Sequence, residues 1–323
     1  MSSPSSSALP AVPSRGFLLV VLAGLCWGTS GVTGRLVTER TDLGPVDIAW
    51  YRMAVAAVAL VAVHLLGRRR AAPRPAPTRP VVVRLLLVGA GLGGYQLAYF
   101  TAVAKAGVSV STLVALGLAP LLVAVASALL GHGRPERTTL LALAIALVGL
   151  VLLVGVSAGA GTGTTVLLGA LIAVGSALGY ALVTVVGGGI PAGVPVTPVA
   201  FAVGALLLTP VALAGGLHVP HDAGSIALLL YLGLVPSALA YLLFFTGIRS
   251  VPGPVASIVT LLEPLTATVL ATALLGERLA PAAMAGGLLV LGAVVVLYVR
   301  RMADPAARRP TGSTVRPAAD ELA

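Results

Sequence analysis

Charge is what this sequence has least of. Only 9% of its 323 residues are Asp, Glu, Lys or Arg, against about 25% in an average soluble domain. With 58% hydrophobic residues and a mean hydropathy of +1.06, the chain lacks the polar groups to cover a globular surface. A soluble enzyme or soluble binding module is excluded. Cysteine is nearly absent: Cys26 is the single one, so no disulfide forms within the chain, and a lone Cys in an apolar segment reads as packing. No GxxxxGK[ST] phosphate loop occurs, which removes ATP hydrolysis.

Histidine is scarce too. Gly28-Thr29-Ser30-Gly31 has the look of a membrane serine-protease motif, but a serine nucleophile needs a base within hydrogen-bond reach. His64 is the one histidine in a spanning segment and sits at the far end of its span, while His132, His218 and His221 fall in loops. No catalytic residue, metal or cofactor is therefore expected.

What the sequence does have is apolar length. About 20 apolar residues cross a bilayer as a helix, and ten such segments occur: 16–37, 47–66, 83–104, 107–131, 138–156, 166–187, 196–215, 225–248, 253–275 and 280–299. The formal charge of +10 would suit nucleic acid in a soluble protein. Here the arginines instead orient the chain, because short cytoplasmic loops collect Lys and Arg. Arg68, Arg69, Arg70, Arg74, Arg79 and Arg84 follow the second span, Arg134 and Arg137 the fourth, and Arg300, Arg301, Arg308, Arg309 and Arg316 the tenth. The opposite loops set Glu39, Asp42, Asp222 and Glu277 against Arg40, Lys105 and Arg278. Both termini are expected in the cytoplasm, with no nucleic-acid partner. No cleaved signal peptide is expected, since the first apolar run has full spanning length.

The two halves echo each other. Phe100-Thr101 recurs as Phe245-Thr246, and Ala128-Leu129-Leu130-Gly131 as Ala273-Leu274-Leu275-Gly276. Pro120 and Pro264 fall between these pairs. Gly24 and Gly28 beside Trp27 find counterparts in Gly175 and Gly179 beside Tyr180, and both pairs read as close helix packing. A repeat of five spans is odd, so its second copy must cross the membrane upside down. Inverted repeats characterise many secondary transporters, with the site near the midplane. The fold class expected is an all-α integral membrane protein of ten transmembrane helices in two inverted five-helix repeats. Its segments are a disordered cytoplasmic tail 1–15, repeats 16–156 and 166–299, and a disordered basic cytoplasmic tail 300–323.

The motifs in order are Leu25-Cys26-Trp27-Gly28-Thr29-Ser30; Gly44-Pro45 with Tyr51-Arg52; Tyr99-Phe100-Thr101-Ala102-Val103-Ala104; Ala240 to Ile248; Leu262-Glu263-Pro264; and Ala273 to Glu277. On these residues the chain resembles the EamA-like family of the drug/metabolite transporter superfamily, over nearly all of 16–299. One departure is Gly131-His132-Gly133-Arg134, where the family usually shows Gly-Glu. The resemblance implies a 5+5 bundle with a central cavity that moves small metabolites, commonly amino acids by export, across a bacterial-type plasma membrane. An importer, or a multidrug or nucleotide-sugar-type carrier of the same fold, is the alternative, and a channel or structural membrane protein a further one.

Glu263 is the residue the chemistry singles out. It lies about ten residues into the ninth span, so roughly 15 Å of helix separates it from that end. A charge at mid-bilayer is expensive; the carboxyl must face a cavity, find a partner or take a proton, and the last makes the proton a candidate coupling ion. Pro264 has no N–H, so the Thr260 carbonyl loses its helical partner and the helix should kink there; Pro264 and Pro120 are the candidate hinges. Thr260, Glu263 and Thr266 or Ala267 share a face, and the kink, carboxyl and hydroxyls there suit contact with a substrate or ion. The alternative role of Glu263 is to bond a neighbouring helix. Arg52 reads first as a snorkelling interfacial anchor and second as a coupling charge; Lys105 reads first as an interfacial charge at a tight turn and second as a coupling charge or a draw for anions at the outer mouth. Trp27, Thr29, Gln96, Tyr99, Tyr180 and Tyr241 are mid-depth groups with polar tips that suit an amphipathic solute; plain packing is the alternative for each. The partners expected are a small-molecule substrate and lipid, with the protein a monomer or homodimer.

Overall fold

The computed structural model describes residues 15–68, 78–131, 135–155, 164–275 and 281–303. The two expected tails, His132 to Arg134, Arg69, Arg70, Arg74, and Gly276 to Arg278 lie outside these residues, apart from the few tail positions at 15 and 300–303. The described chain is helical throughout: α1 (Arg15–Arg40), α2 (Pro45–Arg68), α3 (Arg79–Leu129), α4 (Arg137–Gly155), α5 (Thr164–Gly188), α6 (Val196–Ala214), α7 (Ala223–Gly233), a π-helical turn (Leu234–Leu239), α8 (Ala240–Gly247), α9 (Gly253–Val259), α10 (Leu262–Leu275) and α11 (Pro281–Ala303). Among these residues, nine stretches are long and apolar enough to cross a bilayer, and Arg137–Leu153 is a shorter apolar tenth.

Ten spans emerge because one helix is really two. α3 runs through two crossings and turns at Gly107, whose φ of 78° and ψ of 166° leave the helical region. Only glycine adopts such a φ at little steric cost, and a Cβ built there meets nothing within 4 Å. The reverse occurs in the second half. There α7, the π-turn and α8 make one crossing, and α9 with α10 make another. Arg79 and Arg84 belong to the opening turns of α3 rather than to a loop, and Arg84 Nη1 donates to the Gly189 carbonyl at 3.1 Å.

Packing follows an internal twofold. Number the crossings one to ten and add five: α1 packs on the α9–α10 and α7–α8 crossings, and its counterpart α5 packs on both limbs of α3. The second and seventh crossings, α2 and α6, pack on each other, as do the fifth and tenth, α4 and α11. A set of neighbours that maps onto itself under this shift is what two inverted five-helix repeats produce.

Glycines set the closest crossings. A Cβ on Gly149 would stand 2.7 Å from the Gly286 carbonyl, which ties α4 to α11. Gly24 and Gly28 face the α9–α10 crossing, and Gly179 faces Tyr95 on α3, as close packing requires. Gly175, grouped with Gly179 by spacing, faces open space within 4 Å. At the end marked by Arg84, Phe17 and Tyr298 pack with ring centroids 5.4 Å apart, and Phe245, Ile248 and Val251 are buried.

Candidate functional site

At the middle of the bundle lies an aromatic floor. Tyr241 of α8 is 2% exposed and packs on Trp27 of α1 at 4.8 Å, on Phe201 of α6 at 5.1 Å and on Phe245 at 6.1 Å. Phe244 joins Trp27 at 5.2 Å and Tyr180 of α5 at 6.1 Å, and Tyr180 meets Tyr95 of α3 at 6.1 Å edge-on. Five crossings are thus joined by rings in tilted and edge contacts, the geometry aromatic quadrupoles favour. Among the described residues the Trp27 indole N–H has no hydrogen-bond partner.

The break at Pro264 lies against this floor. Residue 264 offers no N–H to the Thr260 carbonyl, which takes the Glu263 N–H at 2.9 Å instead, one residue short of the helical partner. Leu261 N–H likewise reaches back three residues, to Ile258, at 3.0 Å. The helix tightens there, and α10 restarts with Glu263 in its first turn. A carboxylate is favoured at a helix N-terminus, which offsets part of the cost of placing it here. Thr260 is 4% exposed; its hydroxyl donates to the Ser257 carbonyl at 2.9 Å and pairs with Tyr180 Oη at 3.1 Å. Pro120, by contrast, sits inside an unbroken stretch of α3.

Glu263 is half-buried, and among the described residues its carboxylate accepts no hydrogen bond and no ion pair. It lies within electrostatic reach of Arg52, Tyr99, Tyr180 and Tyr241. Glu263 thus keeps accessible surface although these charged and phenolic groups act on it from several crossings.

Arg52 departs from the interfacial-anchor expectation. It is seven residues into α2, roughly 10 Å from that helix's start, and only 9% exposed. Its Nε donates to Ser237 Oγ at 3.3 Å, and Ser237 Oγ donates to the Leu232 carbonyl at 2.7 Å. Residue 236 is a proline, so that carbonyl lacks its helical N–H. Among the described residues neither terminal nitrogen of Arg52 donates a hydrogen bond. Asp47, on the same helix, accepts from Gly44 N–H at 3.1 Å and pairs with His218 Nδ1 at 3.3 Å.

The remaining candidates divide. Gln96 is buried, at 5% exposure. Tyr99 Oη pairs with Thr112 at 2.8 Å and faces both Arg52 and Glu263 electrostatically. Thr29 donates to the Cys26 carbonyl of its own helix at 2.7 Å and joins nothing at the centre. Lys105 is exposed beside the Gly107 turn, away from the cluster. Ser237 was missed. Its signal was Pro236 inside an otherwise unbroken apolar run, the same proline cue that marks Glu263.

Ten crossings in inverted repeats are the architecture of a membrane transporter. Both halves match the EamA-like transporter family, over residues 14–155 and 167–299. The chain belongs to that family, within the drug/metabolite transporter superfamily. It is 29% identical over 280 residues to "Uncharacterized transporter YwfM" of Bacillus subtilis (strain 168), covering 86% of this chain and 92% of that one. It is 25% identical over 290 residues to "Uncharacterized inner membrane transporter YicL" of Salmonella typhimurium, covering 88% and 95%. A solved crystal structure with 22% identity superimposes with a TM-score of 0.73 over 91% of this chain and 100% of that one, a likeness of fold alone.

Proposed function

We propose that this protein moves small zwitterionic solutes with an apolar body, neutral amino acids being the type, across the bacterial inner membrane by alternating access. The expected direction is export, with both termini cytoplasmic and the proton as coupling ion. The observation that carries the reading is the separation of Arg52 and Glu263. Arg52 is buried and Glu263 half-buried beside it, they sense each other's charge, and they do not form an ion pair. A solute with an anionic end and a cationic end satisfies both at once, and the floor around Tyr241 receives the rest.

Charge count disfavours phosphate-bearing cargo. Among the described residues Arg52 is the cation that acts on Glu263, and a phosphate or diphosphate calls for more. Arg84, Arg137 and Arg249 fall at one end of the bundle by the order of crossings, which supports the orientation. The name of the Salmonella relative supports the membrane.

The test is efflux from liposomes loaded with labelled neutral amino acids, with and without an inward proton gradient. Wild type should respond to the gradient, and Glu263→Gln should fold and lose that response. Equal gradient response in the Gln variant would remove Glu263 from the coupling step.

A further inference from the structure

One bond sets which face of the buried Arg52 guanidinium is left to bind. The π-turn holds Pro236 and Ser237, which are buried, with Ser237 1% exposed. π-turns inside helices recur at functional sites. Here the local cause is readable: Pro236 deprives the Leu232 carbonyl of an N–H, and the Ser237 hydroxyl donates to it at 2.7 Å. That donation spends the hydroxyl proton and leaves the oxygen's lone pairs toward α2. Arg52 Nε donates to it at 3.3 Å across 185 residues of chain.

A guanidinium offers two two-pronged faces to a carboxylate. Engaging Nε removes the side-on face, so the end-on fork of Nη1 and Nη2 is left, and among the described residues it has no other acceptor. We infer that Ser237 is a positioning residue, holding Arg52 by Nε so that its terminal fork takes the two oxygens of the substrate carboxylate. This rests on the zwitterion reading above and adds to it the face of the arginine used and the residue that fixes it. The same bond joins the site to the eighth crossing, where the helix leaves its regular winding.

The experiment uses the full chain in liposomes and counterflow of labelled leucine, phenylalanine and threonine, with each amino acid's amide as competitor. Ser237→Ala should raise KM by about tenfold while the maximal rate changes by less than about twofold. It should also narrow the preference for the amino acid over its amide, a ratio that does not depend on how much protein folds. Ser237→Thr, which keeps the hydroxyl, should restore both. If Arg52→Gln abolishes the preference but Ser237→Ala leaves KM and preference as in wild type, the positioning role is wrong and the zwitterion reading stands. If Arg52→Gln also keeps the wild-type preference, or no wild-type flux occurs for any of the three, the zwitterion reading fails and the inference with it.

Discussion

At the scale of single residues, Arg52 and Glu263 are costly. Either charge in an apolar bundle is unfavourable, and bringing them into contact would recover Coulomb energy. Each is instead held by its own element: Arg52 by Ser237 on the π-turn, Glu263 by the helix restart at Pro264. A charge-assisted hydrogen bond is worth about 1.5–3 kcal/mol, so Arg52→Lys, which keeps the charge but loses the planar fork, should raise KM roughly tenfold or more. Transport assays across a concentration series decide this, and an unchanged KM would mean that the fork is not used. Tyr180 has a plainer role. Tyr180→Phe removes the tie to Thr260, but Thr260 keeps its bond to the Ser257 carbonyl. The loss in stability should be about 0.5–1 kcal/mol, read from unfolding in detergent; a loss of several would show that the pair carries the floor.

At the scale of elements, backbone proximity decides which side chains meet. Gly28 is where α1 passes α10: a Cβ there would strike Thr266 and stand 2.8 Å from the Glu263 carbonyl. Gly28→Ala should cost about 1–3 kcal/mol by overpacking and impair transport, because the shift falls on the turn that carries Glu263. Thr266→Ala in the same chain should relieve part of the loss, and no recovery would argue against this contact as the cause. The element scale also marks how far the sequence could be read. Apolar length and the missing N–H of Pro264 are local properties, so the ten crossings and the helix break could be read directly. Arg52 could not, because a cation seven residues from a helix start is within snorkelling length, and its partner Ser237 is 185 positions away. The link from Tyr180 to Thr260 spans 80 positions, and Lys105 carried the same local signal as a functional charge yet stands beside a turn at the bundle's end. Glycine spacing suggested Gly175 and Gly179 equally, but only the three-dimensional crossing at Tyr95 selects Gly179.

At the scale of the whole molecule, the twofold arrangement sets what can move. Each half supplies one half of the site's surroundings: Arg52 and Tyr99 come from the first repeat, Ser237, Tyr241 and Glu263 from the second. In the proposed alternating access, a rocking of one repeat against the other would change access without unfolding either. The proposed orientation places Lys105 outside and Arg249 inside. In a Cys26→Ser background, a cysteine at 105 should react with an impermeant maleimide in intact cells, and one at 249 only after permeabilisation; the opposite pattern would invert the topology.

The account turns on recognition of both ends of one solute, and competition in wild-type liposomes tests that most directly. A neutral amino acid that the protein transports is set against its amide, which lacks the anion, and its deaminated acid, which lacks the cation. The prediction is that only molecules carrying both charges compete at concentrations near KM. Equal competition by either single-charge analogue would contradict the paired role of Arg52 and Glu263.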